Sequence, residues 1–220
     1  MARHVRVTIH RPALEALFAE CDRYDRDETG GRLIGEYQGG REGRLSIVVS
    51  AIIEPGPNAR RSATSFFQDG EYQERVFRKL EAEHSRIEHL GNWHTHHVNG
   101  YPTLSGGDRE TYQRTVNHPN HNTDFFYALL VTTRNERGTG LDRYAVRHFI
   151  LYRGDPQEYE IPASSVRVIN RPALWPPASQ EREGEPPRNA SPCWHCKHDA
   201  HARCTAPDTC GCWPCHGAAA

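Results

Sequence analysis

A chain of 220 residues has room for one full domain and a small appendage, and 27 Lys and Arg against 28 Asp and Glu give no electrostatic case for nucleic acid or membrane surfaces as partners. Mean hydropathy is low at −0.78, and no run approaches the roughly 18 apolar residues needed to span a bilayer. The opening "MARHVRVTIHRPALEALF" lacks an uninterrupted apolar segment followed by a small-residue cleavage site, so no secretory signal is expected and a cytoplasmic setting is.

In chain order, Leu14, Leu17, Phe18 and Cys21 fall at helical spacing behind Pro12, which suits a helix start. "GRLIGEY" and "GRLSIVVSAIIEP" read as strands joined by the Gly-rich hairpin "QGGREG", and "SATSFFQ" as a further short strand. Tyr72, Val76 and Leu80 mark a second amphipathic helix within "GEYQERVFRKLEAEHSR". "HLGNWHTH" reads as a strand, "DRETYQRTV" as a short helix, and "FFYALLVTT" and "RYAVRHFILYR" as buried strands around the turn "RNERGTG". The expected fold is α/β (α+β), a mixed, curved sheet flanked by helices over residues 1–172. "PPASQEREGEPPRNASP" has almost nothing to bury, so residues 173–192 read as a flexible linker ahead of a Cys/His-rich tail at 193–216.

The segment "GNWHTHHVNGYPTLSGGD" places three histidines within four residues, followed by Ser105 and Asp108. His94 and His96 alternate along a strand, so both side chains leave on one face, which suits two imidazole ligands on one ion. Asp108, at the start of the next helix, offers a third ligand through oxygen, while the same alternation turns His97 away. The plainer reading is that Ser105-x-x-Asp108 caps that helix. Trp93 reads as sheet packing.

These residues resemble the metal signature of the JAMM/MPN-plus zinc metallo-isopeptidases, the prokaryotic JAB type in particular. That family also carries a catalytic glutamate upstream, and "ETGGRLIG" matches its segment with Glu28 in the glutamate's place. The resemblance covers about residues 5–155. The stretch between His96 and Ser105, "HVNGYPTL", is one residue longer than the family's usual spacing, which bears on where Ser105 lies. The resemblance implies a catalytic Zn2+ on His94, His96 and Asp108 that holds a water and lowers its pKa towards about 7. It implies Glu28 as general base and then acid, and Ser105 as donor to the developing oxyanion. The implied partners are ubiquitin or a ubiquitin-like protein and its conjugates, cleaved after a C-terminal glycine. Trimming a small sulfur-carrier or ubiquitin-like precursor is the alternative activity. A non-catalytic binding scaffold is a third reading, which the full set of site residues opposes.

Cys21 stands alone, and the other six cysteines lie between Cys193 and Cys215. Cys193-x2-Cys196, fifteen residues, then Cys212-x2-Cys215 is four-cysteine zinc spacing, with Cys204 and Cys210 left for a second site or a mixed ligand set. One or two structural zinc ions are expected there, and they would supply most of the tail's folding energy. Pro192-Cys193-x-x-Cys196 fits half of the zinc-deaminase signature, but no histidine is followed two positions later by glutamate, so that reading fails.

Overall fold

The structure is a computed structural model, and it describes residues 4–40, 43–96 and 100–172. The chain divides into two units, 1–178 and 179–220. The second unit, and with it Cys193, Cys196, Cys204, Cys210, Cys212 and Cys215, lies outside the described residues.

The elements are β1 (His4–His10), α1 (Arg11–Arg23), β2 (Gly30–Gly39), β3 (Arg44–Ile53), β4 (Arg60–Ser62), β5 (Ser65–Phe67), α2 (Gly70–Glu83), β6 (Glu88–Thr95), α3 (Gly106–Asn117), β7 (Phe125–Thr133), α4 (Gly140–Arg143), β8 (Tyr144–Tyr152), β9 (Glu158–Glu160) and β10 (Val166–Ile169), with a 3-10 turn at Ala163–Ser165. Eight strands form one sheet in the order β10-β1-β3-β2-β6-β7-β8-β9, while β4 and β5 pair only with each other. The pairs β1–β10, β1–β3 and β6–β7 are parallel, and the other pairs are antiparallel. The sheet is mixed and curls into a half-barrel, the expected fold class. Register shifts at Leu33, Ile34 and Gly35 interrupt β2 on both of its edges, and such bulges bend a strand and add twist.

Side-chain alternation explains how the helices are layered. Along β7, Tyr127, Leu129 and Val131 join the core beneath α1, with its Leu14, Leu17, Phe18 and Cys21. The intervening Phe126, Ala128 and Leu130 pack instead with Tyr112 and Val116 of α3. On β2, Leu33 faces the α1 side, whereas Ile34 joins Val76 and Phe77 of α2. Helix α1 therefore covers one face, and α2 and α3 share the other. Trp93 is fully buried on the α1 side, as its reading as a packing residue requires.

Three local expectations change. The segment read as a single strand at "SATSFFQ" is a small hairpin of two short strands, because Ala63 and Thr64 turn the chain between paired Ser62 and Ser65. Residues 4–10, which carry no assignment in the sequence reading, form β1 inside the large sheet. The turn before the last long strand ends in a single helical turn, α4. Among the described residues, no helix is long and apolar enough to cross a membrane.

Candidate metal centre

Strand β6 carries the two histidines. Trp93 points to the α1 side, so alternation turns His94 and His96 towards α3, and the main chain of His96 is still tied to β7 through Val131 (N–H to carbonyl, 2.8 Å). Helix α3 supplies the acid. Ser105 is its N-cap, accepting from Asp108 N–H at 3.2 Å, while Asp108 Oδ2 accepts from Ser105 N–H at 2.7 Å. The plain reading of Ser105-x-x-Asp108 as a capping box is thus correct, and it holds the same carboxylate beside the histidines.

The three side chains meet in a triangle. His94 Nε2 lies 3.2 Å from His96 Nε2, and Asp108 Oδ2 lies 3.3 Å from the first and 3.4 Å from the second. Zinc bonds of about 2.0–2.1 Å in a tetrahedron need ligand atoms about 3.3–3.4 Å apart. The residues therefore fit such an ion in donor type, two nitrogens and one carboxylate oxygen, and in spacing. Both histidines are buried, while Asp108 is partly exposed, as a site open on one side requires.

What lies behind the histidines sets which nitrogen faces inward. His96 Nδ1 sits 3.0 Å from the Tyr101 carbonyl, which can only accept, so the proton is on Nδ1 and the Nε2 lone pair points to the centre. His94 Nδ1 sits 2.8 Å from the Tyr112 hydroxyl. Burial disfavours the charged form of His96, but bonds to Asp108 and the Tyr101 carbonyl, with the charges of Asp108 and Glu28, outweigh it and raise its pKa. Burial likewise works against the Asp108 carboxylate, and hydrogen bonds from His94, His96 and Ser105 overcome it, holding the carboxyl far below the usual range.

Glu28 lies two residues ahead of β2. Gly30 pairs with His94 in the antiparallel β2–β6 ladder, and the pairing continues through Thr29, whose carbonyl accepts from Thr95 N–H at 2.9 Å. Extending that alternation by one more pair assigns Glu28 to the position opposite His96. It is buried, and its charge acts on both His96 and Tyr112. Its own N–H donates to Ser62 of the β4–β5 hairpin at 2.7 Å. That hairpin is fixed by a buried cluster: Arg61 reaches Glu20 Oε1 and Thr29 Oγ1, both at 3.3 Å, and stacks on Tyr24, while Arg23 holds Glu20 Oε2 at 2.6 Å.

The described end of the longer stretch leads directly into α3. Leu104 is fully buried in the α3 core, the Arg147 guanidinium holds the Pro102 carbonyl, and Tyr101 faces His96, so Ser105 still caps α3. His97 lies outside the described residues.

The sequence reading did not single out Tyr112, the Tyr101 carbonyl, Gly30 or the Arg61–Glu20 cluster. Only Tyr112 left a signal, one helical turn after Asp108 and therefore on its face.

Residues 10–147 match the family described as prokaryotic homologs of the JAB domain. The chain belongs to that family. As a JAB-family chain it is 35% identical over 74 residues to a protein of Escherichia coli (strain TW11681) named CD-NTase/cGAS isopeptidase, a match that covers 33% of this chain and 44% of that protein. The aligned part is less than half the length of that relative. The solution structure of protein DSY2949 from Desulfitobacterium hafniense resembles the chain with a TM-score of 0.51 at 14% identity, over 76% of this chain and 94% of that one. At that identity the likeness concerns the fold alone.

Proposed function

We propose that this JAB-family chain is a zinc-dependent isopeptidase or peptidase that hydrolyses the bond after the C-terminal glycine of ubiquitin or a ubiquitin-like protein. The observation that carries the reading is the His94–His96–Asp108 triangle at tetrahedral spacing, with the charge of buried Glu28 acting on His96. Zinc held by these three residues would supply a Lewis acid and a water acidified to a pKa of about 7. Glu28 then removes a proton from the attacking water and returns it to the departing amine, with the β4–β5 hairpin fixing the main chain on which it sits. Ser105 accepts from Asp108 N–H, which leaves its own hydroxyl proton to donate to the oxyanion that develops on the scissile carbonyl.

The name of the Escherichia coli relative favours a second substrate class for the same chemistry, an isopeptide-linked CD-NTase. Precursor trimming differs only in the leaving group. In this reading residues 1–172 are the catalytic domain, 173–192 a linker, and 193–216 a module folded by one or two zinc ions on Cys193, Cys196, Cys212 and Cys215 with Cys204 and Cys210. The test is elemental analysis of the full chain against His94→Ala/His96→Ala, followed by a panel of ubiquitin-like and CD-NTase conjugates. Loss of about one zinc per chain and of cleavage, with the fold intact, is expected. Equal zinc in both proteins refutes the catalytic metal.

A further inference from the structure

We infer that the Tyr112 hydroxyl is the positioning group that orients His94 towards the metal, a role that rests on the zinc reading above. The two histidines are not held alike. His96 is fixed by main chain, its Nδ1 against the Tyr101 carbonyl, whereas the contact that fixes His94 Nδ1 is a single side chain, the phenol of Tyr112 at 2.8 Å.

Tyr112 is built to hold that position. It is buried between Leu104, Val116, Phe126 and Phe149, and its ring stacks on Phe126 with centroids 4.7 Å apart and an interplanar angle of 26°. It lies one turn after Asp108 on α3, so the helix that delivers the carboxylate also delivers the hydroxyl that aims the imidazole across from it. A phenol is a neutral hydroxyl at ordinary pH and can accept as well as donate. When its oxygen accepts the His94 Nδ1–H, the Nε2 lone pair is left facing Asp108 Oδ2 and His96 Nε2. Without the hydroxyl, a buried N–H loses its acceptor and the ring loses the contact that sets its rotation. Removal of such outer partners of metal-binding histidines typically weakens metal affinity about 10–100-fold.

The experiment uses the full chain and reads zinc affinity at the core site by chelator competition, the core zinc being the equivalent that His94→Ala/His96→Ala removes. Tyr112→Phe should weaken that affinity about 10–100-fold, change the d–d spectrum of the cobalt-substituted core site, and speed solvent exchange of the His94 imidazole N–H. Phe126→Leu loosens the same packing but keeps the hydroxyl, so it should lower the melting temperature and leave affinity and spectrum unchanged. Unchanged affinity and cobalt spectrum in Tyr112→Phe overturn the inference, as do equal affinity losses in the two variants. If Tyr112→Phe fails to fold, a fast-exchanging His94 imidazole N–H in the wild-type zinc protein overturns it. A wild-type chain that holds no core zinc sinks the zinc reading itself, a result seen without touching Tyr112.

Discussion

Replacing Gly30 by alanine puts a methyl group into space the fold has already filled. A Cβ at this position would stand 2.5 Å from the Trp93 carbonyl oxygen, 2.7 Å from Phe66 Cε1 and 3.1 Å from His94 Cβ. The Phe66 ring can turn away. The Trp93 carbonyl cannot, because it belongs to the strand paired with Gly30, so β2 and β6 must separate where one carries His94 and the other leads from Glu28. Overpacking of this kind costs about 1–3 kcal/mol. At about 2–4 °C per kcal/mol for a domain of this size, the thermal midpoint should fall by roughly 2–12 °C. Gly106 is the control: it opens α3 beside the same site, and a Cβ there meets nothing within 4 Å. Gly106→Ala should therefore leave stability unchanged or raise it by up to about 1 kcal/mol. Near-UV circular dichroism melts of both variants, paired with core zinc content, are the assay, and only Gly30→Ala should lose metal. Matching midpoints and zinc contents for the two variants would refute the argument that close strand approach at Gly30 shapes the centre.

Two further outcomes follow from groups away from the ligands. His148 is buried against the Tyr127 hydroxyl at 2.6 Å, and burial lowers its pKa to about 4; His89 is lowered to about 3, again chiefly by burial. Depressed folded values mean that the linked stability is present above the unfolded value near 6.5 and is lost as pH falls through the folded ones. In chelator, so that metal loss plays no part, the melting temperature should drop as pH is lowered from about 6.5 to 4, and His148→Gln should flatten that drop; an undiminished slope in the variant would count against it. Arg61→Met removes the guanidinium that joins Glu20, Thr29 and Tyr24 under the β4–β5 hairpin. Because Arg23 stays on Glu20, the cost should be about 1–3 kcal/mol, below that of a fully stranded buried charge. Limited proteolysis between residues 60 and 67 should quicken, and a hairpin as protected as in the wild type would dismiss the clamp.

Strong periodicity made much of the fold legible. The apolar stripe of α1, the alternation and apolar runs of β2, β3, β7 and β8, and the helix signature of α2 all follow from side chains that one element must bury. Short elements were less legible. Strand β1 and the β4–β5 pair owe their form to partners distant in sequence, β3 and β10 for the first and the Glu20–Arg61 cluster for the second. Seven residues such as "HVRVTIH" do not declare a sheet position by themselves, because strand preference depends on the neighbouring strands.

The candidate metal centre divides along the same line. His94-x-His96 and Ser105-x-x-Asp108 are local patterns, and strand alternation and helix capping carry them directly into geometry. Glu28 is different: unaided, it reads as one more acid in "DRYDRDE", and only the β2–β6 pairing, continued through Thr29, brings its charge to bear on His96. Tyr112 and the Tyr101 carbonyl likewise owe their places to tertiary packing, the first to α3 against β7 and the second to the chain just ahead of buried Leu104. By itself the sequence determined which side chains could serve as ligands and which elements carry them, because spacing within an element is fixed by backbone geometry. Tertiary structure alone decided the 3.2–3.4 Å triangle, the acid whose charge reaches it and the hydroxyl behind it, because distances between elements depend on strand register and core packing.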